Sequence, residues 1–97
     1  MSARDILHAV TWATSTTLIG LRSERRNASL VRARFVACWL LRNLTGRSYP
    51  EIAMDMGGRD HATIMHAVRR VDVDIRTSGP LGEYLADVIG KLTRGIE

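Results

Sequence analysis

The chain is 97 residues long, 45% hydrophobic and 25% charged, with 8 Gly, 2 Pro and 5 aromatic residues. That is the composition of one globular domain, neither disordered nor fibrous. A chain of this size buries roughly two-thirds of its unfolded surface, enough for one modest core but not for a catalytic domain beside a nucleotide-binding one. Its 14 basic residues against 10 acids, with a pI near 10.2, point to a polyanionic partner.

The charge is unevenly spread. Arg22 to Arg70 holds ten Arg and four acids (Glu24, Glu51, Asp55, Asp60), whereas Val71 to Glu97 carries a net negative charge. Lys91 is the single lysine, so the basic character rests on guanidinium groups, which suit bidentate phosphate recognition. The lone Cys38 excludes an internal disulfide and sits in the run Phe35-Val36-Ala37-Cys38-Trp39-Leu40-Leu41, which predicts a buried thiol in a reducing compartment. That run, the longest apolar one, is far shorter than the about 20 residues a bilayer requires. The start, Met1-Ser2-Ala3-Arg4-Asp5, has no signal-peptide pattern, so the expectation is a cytoplasmic, nucleoid-associated chain without a membrane anchor.

In chain order, the pattern predicts an all-α domain over 1–97. Asp5 to Ala13 forms a first helix with Ile6, Leu7, Val10 and Ala13 inward, broken at Thr14-Ser15-Thr16-Thr17. Leu18-Ile19 starts one turn of helix, and Arg22 to Ala28 reads as an exposed basic loop. Ser29 is placed to cap a long buried helix over Leu30 to Thr45, stopped by Gly46. Ser48-Tyr49-Pro50-Glu51 is a capping box opening a short helix that ends at Gly57-Gly58. After Arg59-Asp60 the spacing of Ile64, Val68, Val71 and Ile75 predicts a longer one-sided helix. Ser78-Gly79-Pro80 ends it, and a last helix runs to about Thr93 with Leu81, Leu85, Val88, Ile89 and Leu92 inward. Trp12 and Trp39 read as core anchors. A short helix, a glycine turn and a longer helix over about 48–77 outline a helix-turn-helix.

The segment Gly57-Gly58-Arg59-Asp60-His61-Ala62-Thr63-Ile64, with Leu44-Thr45, Ser48, Pro50-Glu51-Ile52 and the Arg25-Arg26 loop upstream, resembles domain IV of the bacterial replication initiator DnaA. The resemblance is close over roughly Leu18 to Val71. It implies a small helical, Trp-repressor-like fold that binds double-stranded DNA at the asymmetric DnaA box. Asp60, His61, Ala62 and Thr63 would then meet bases in the major groove, and Arg26 would enter the adjacent minor groove. Independent chemistry agrees: a carboxylate accepts from cytosine, a methyl touches thymine, and arginine suits a narrow minor groove. Arg25, Arg32, Arg34, Arg47, Arg59 and Arg69 are the expected phosphate contacts.

The chain departs from the family pattern where Ala62 replaces a usual Thr, Phe35 a Gln, Ala33 a Pro, Ala28 an Arg, and Glu24 a base. Lower affinity or altered base preference follows from those losses.

Plainer roles stand beside these. Asp60 sits where a helix N-cap belongs, Arg25-Arg26 reads as a solvated loop, and Arg69-Arg70 can pair with Asp72 and Asp74. His61 and His66 lie on different faces of a helix, no catalytic spacing occurs, and no ATPase P-loop is present, so neither metal, cofactor nor enzyme is expected.

The leading expectation is a stand-alone DNA-binding regulator of replication initiation or transcription, monomeric on DNA, that competes with or modulates the full-length initiator. The alternative is an adaptor with a degenerate DNA site that contacts the initiator, or a factor inactivating it, through protein surface.

Overall fold

A computed structural model describes residues 1–96. Within them the chain forms helices α1 (Ala3–Thr14), α2 (Leu18–Arg22), α3 (Ala28–Thr45), α4 (Tyr49–Asp55), α5 (His61–Thr77) and α6 (Pro80–Ile96). There is no strand among the described residues, and α4, its glycine turn and α5 make the expected helix-turn-helix.

Most helix starts follow from local donors and acceptors. In α1 the Ser2 hydroxyl accepts from the Asp5 amide at 3.1 Å and the Asp5 carboxylate accepts from the Ser2 amide at 3.1 Å. The same reciprocal box opens α4, with Ser48 and Glu51 at 3.2 and 3.0 Å. The serine backbone N–H holds each carboxyl below its ordinary value. Because the folded pKa is the depressed one, this small contribution is present above the unfolded carboxylate range and is lost as pH falls through the folded value. Thr17 caps α2 by accepting from the Gly20 amide at 2.9 Å. Helix α3 departs from expectation. It begins at Ala28, so Ser29 lies inside its first turn, where its hydroxyl accepts from Asn27 Nδ2 rather than capping.

Helix α3 is the centre of the packing, touching all five other helices. Its Ala33, Val36, Ala37 and Leu41 are fully buried against Ile6, Leu7 and Val10 of α1, Ile64, Val68 and Val71 of α5, and Leu85 and Val88 of α6. Trp39 lies half-buried at the edge, and its indole N–H donates to Asp72 Oδ1 at 2.8 Å, tying α3 to α5. Cys38 is buried as expected, and desolvation pushes its thiol up to about 12, which leaves it protonated and inert at neutral pH.

Three apolar side chains expected inside are outside. Trp12 is 65% exposed, because the inner line of α1 is Ile6, Leu7, Val10 and Ala13, and a step of two residues turns Trp12 to the far side. Ile75 and Ile89 are 45% and 42% exposed, each one residue beyond the true contact line, which passes through Asp74 in α5 and Val88 in α6. Asp74 is buried at the α5–α6 corner because its oxygens are engaged there. Its Oδ2 accepts from the Leu81 amide at 2.8 Å, its carbonyl accepts from Gly79 N at 2.7 Å, and Arg70 Nε donates to Oδ1 at 3.3 Å. A carboxylate from α5 thus satisfies an amide that the first turn of α6 leaves unbonded.

The turn after α4 places α5. Gly57 and Gly58 have φ of +94° and +84°, and the Gly58 and Arg59 amides both donate to the Ala53 carbonyl, at 2.9 and 3.1 Å. A Cβ on Gly57 would lie 2.6 Å from the Arg22 carbonyl oxygen, whereas one on Gly58 would meet open space. Gly57 is therefore required both for its left-handed backbone and for the approach of α2, and Gly58 for its backbone alone.

Two stability outcomes follow. Asp74→Ala should cost about 1–3 kcal/mol in urea unfolding, because it strands the Leu81 amide. Gly58→Ala should cost about 1–2 kcal/mol for its backbone, and Gly57→Ala clearly more; equal costs in the same urea titration would contradict the close contact with Arg22.

Candidate nucleic-acid interface

The first turn of α5 is presented outward by its own cap. Asp60 Oδ1 accepts from the Ala62 amide at 2.8 Å, and Ile64, 1% exposed, anchors the turn in the core. Asp60, His61, Ala62 and Thr63 are left exposed at the positive end of the helix. Asp60 is thus the N-cap that the plainer reading expects, while its second carboxylate oxygen has no partner among the described residues.

Arg25 and Arg26 lie on the exposed loop between α2 and α3, and neither is in an ion pair among the described residues. The loop and the first turn of α5 border one open cleft of about 580 Å³, whose lining includes Glu24 and Arg26 of the loop, Thr63 of α5 and Phe35 of α3. Phe35 stacks edge-on to His66, with ring centres 6.4 Å apart, so this wall is apolar where a glutamine would offer hydrogen bonds.

The arginines expected at phosphates divide into two groups. Arg32 and Arg69 are exposed, with the Arg32 guanidinium 5.5 Å from the centre of the Tyr84 ring. Arg34 is instead 8% exposed and points inward. Its Nε donates to the Leu21 carbonyl at 2.8 Å and its Nη2 to those of Gly20 and Ser23 at 2.9 and 2.8 Å, while Nη1 bonds the Arg25 carbonyl. Burial, and then the charges of Arg59 and Arg26, draw the Arg34 pKa below the usual arginine value. The expected phosphate contact at Arg34 gives way to a structural role, because its donors are committed to carbonyls of α2 and the basic loop. The spacing Leu30, Arg34, Ala37, Leu41 follows one helical stripe, which is the signal that placed residue 34 on the buried face.

Arg59 and Arg47 are also engaged. Arg59 Nη2 donates to Leu21 O at 3.2 Å and to Ser23 O, and its buried Nε has no acceptor among the described residues. Arg47 grips Asp55 with Nε at 2.6 Å and Nη2 at 3.0 Å, and lies 3.7 Å from Glu51. Of the Arg69-Arg70 pair, Arg70 bonds Asp74 and Arg69 is free of any ion pair among the described residues. Arg42, which the sequence left without a role, lies 4.4 Å from the centre of the Tyr49 ring and donates to the Arg47 carbonyl at 2.9 Å, bracing α4 against α3. No group of three or more metal-ligating side chains occurs among the described residues, and no described helix is long and apolar enough to cross a membrane.

Known proteins match this chain in sequence. The family described as the bacterial dnaA protein helix-turn-helix matches residues 3–71, which include the basic loop, the glycine turn and the first half of α5. The chain is 54% identical over 72 residues to the chromosomal replication initiator protein DnaA of Caulobacter vibrioides (strain NA1000 / CB15N), covering 74% of this chain and 15% of that protein. It is 43% identical over 77 residues to the DnaA of Caulobacter sp. (strain K31), covering 79% and 16%, and 42% identical over 81 residues to that of Xanthobacter autotrophicus, covering 84% and 16%. The chain therefore spans about one-sixth of the length of these relatives. With the family pattern running through most of its length and through the turn that presents α5, the chain belongs to the bacterial DnaA helix-turn-helix family of non-catalytic DNA-binding modules.

Proposed function

We propose that the chain binds double-stranded DNA sequence-specifically at DnaA-box-like sites and regulates replication initiation or transcription there. The observation that carries this reading is the shared cleft, lined both by Arg26 of the exposed basic loop and by Thr63 of the exposed first turn of α5. A recognition helix in the major groove and an arginine in the neighbouring minor groove require two such elements on one face.

In this reading His61, Ala62 and Thr63 meet base edges, and Asp60 caps α5 with one oxygen while the other accepts from a cytosine amino group. Arg26 enters the minor groove. Arg25, Arg32 and Arg69 contact phosphates and set register without reading sequence. Ala62 offers only a methyl, and Phe35 only an apolar ring, so the site relies on shape and apolar contact where the usual side chains would add hydrogen bonds. Binding as a monomer suits an asymmetric site. Occupying boxes that a full-length initiator uses would make competition the natural mode of regulation, and protein contact with that initiator is the rival mode.

Fluorescence anisotropy with a DnaA-box duplex and a scrambled duplex of equal length, at two salt concentrations, tests the reading. The expected preference is at least a hundredfold, about 2.7 kcal/mol. Arg26→Ala and His61→Ala should each remove about 1–3 kcal/mol from box binding, whereas Arg32→Ala should weaken both duplexes alike and lower the salt slope by about one. Weak binding without preference would overturn sequence recognition and favour the protein-contact mode, which a nuclease-resistant complex with a full-length initiator would then reveal.

A further inference from the structure

Between the glycine turn and the basic loop the chain makes a cluster of contacts that neither element needs for its own secondary structure. Arg22 Nε donates to the Asp55 carbonyl at 2.9 Å, the Gly57 backbone abuts the Arg22 carbonyl, and Arg59 Nη2 reaches the carbonyls of Leu21 and Ser23. Arg34 binds the same two carbonyls. The acceptors are backbone oxygens, joined by the Ser23 hydroxyl, which accepts from Arg34 Nη2 at 3.2 Å. Among the described residues no carboxylate is bonded to Arg34 or Arg59, so the two guanidiniums are held close by the chain they grip and not by counter-charges. Arg59 also keeps its Nε buried without an acceptor among the described residues, so the grip by Nη2 is maintained against a local cost.

We infer that Arg59 is a positioning residue, which from the recognition turn fixes the carbonyls of the basic loop and so sets Arg25 and Arg26 at a defined place beside the first turn of α5. Arg59 directly precedes the Asp60 cap, so two adjacent residues place both reading elements. This rests on the proposed DNA-binding mode and adds to it that the two groove contacts are coupled through the fold. A phosphate contact would need only the positive charge of residue 59, whereas positioning needs the planar Nη2 group, held at the end of the guanidinium, that reaches both the Leu21 and the Ser23 carbonyl.

Arg59→Lys separates these roles, since it keeps the charge and loses the planar Nη2 group that reaches the two carbonyls. In the DNA-free protein, amide hydrogen exchange over Glu24 to Asn27 should speed up about tenfold or more, with the exchange of the α3 core unchanged. On the box duplex, Arg59→Lys should lose about tenfold in affinity in the otherwise unchanged chain but less than about twofold when Arg26→Ala is already present, the signature of acting through the loop. An equal loss in both backgrounds, or unaltered loop exchange, overturns the inference. Should Arg59→Lys not fold, side-chain exchange in the unsubstituted protein decides. The Arg59 Nη2 protons are expected to exchange at least about tenfold more slowly than those of exposed Arg69, and equal rates overturn the inference. If the unsubstituted protein shows no preference for the box duplex, the DNA-binding mode fails, and loop and guanidinium exchange by themselves decide the positioning role.

Discussion

The buried guanidinium of Arg34 is the interaction on which the interface depends. Helix α2 is only five residues long, so its last carbonyls lie beyond the reach of donors within the helix. The loop that follows is basic and contains no apolar residue larger than alanine, so it cannot anchor itself by burial. Arg34 answers both needs, supplying donors to Gly20, Leu21, Ser23 and Arg25 from the one helix that contacts every other. Desolvating a charge is unfavourable, and here several carbonyl dipoles offset it rather than an ion partner.

That arrangement explains how a small basic chain uses so many arginines. Some are internal fasteners: Arg34 and Arg59 on the loop, Arg22 and Arg47 on the end of α4, Arg70 at the α5–α6 corner. Others, Arg25, Arg26, Arg32 and Arg69, remain exposed for an anionic surface. The guanidinium's planar fork suits the first task and its permanent charge the second. Net charge alone therefore overstates the positive surface presented to a partner.

The helical outline was readable from residues because its signals are local. Ser48 and Glu51 stand three apart, Asp60 precedes an amphipathic run, and Gly57-Gly58 can adopt the left-handed turn; each acts within a few residues. Boundaries failed where local options were nearly equal, as at Asn27 and Ser29 before α3. Interior positions failed where helix direction decided the face. Ile75 continues the apolar spacing of α5, yet the return of the chain at Gly79 turns Asp74 inward instead. Trp12, the largest apolar side chain of α1, lies outside because its neighbours already fill the contact line.

The site divides in the same way. The sequence specified that Asp60 to Thr63 open a helix after a glycine turn and that Arg25-Arg26 lie in a basic loop, because both are properties of short segments. Only the tertiary structure decided that the two segments share a cleft, that Arg34 and Arg59 face inward, and that Arg47 is spent on Asp55. An arginine's role depends on whether it meets water or a carbonyl, and those carbonyls belong to residues up to 38 positions away in the chain. No local pattern encodes that distance; packing around α3 does.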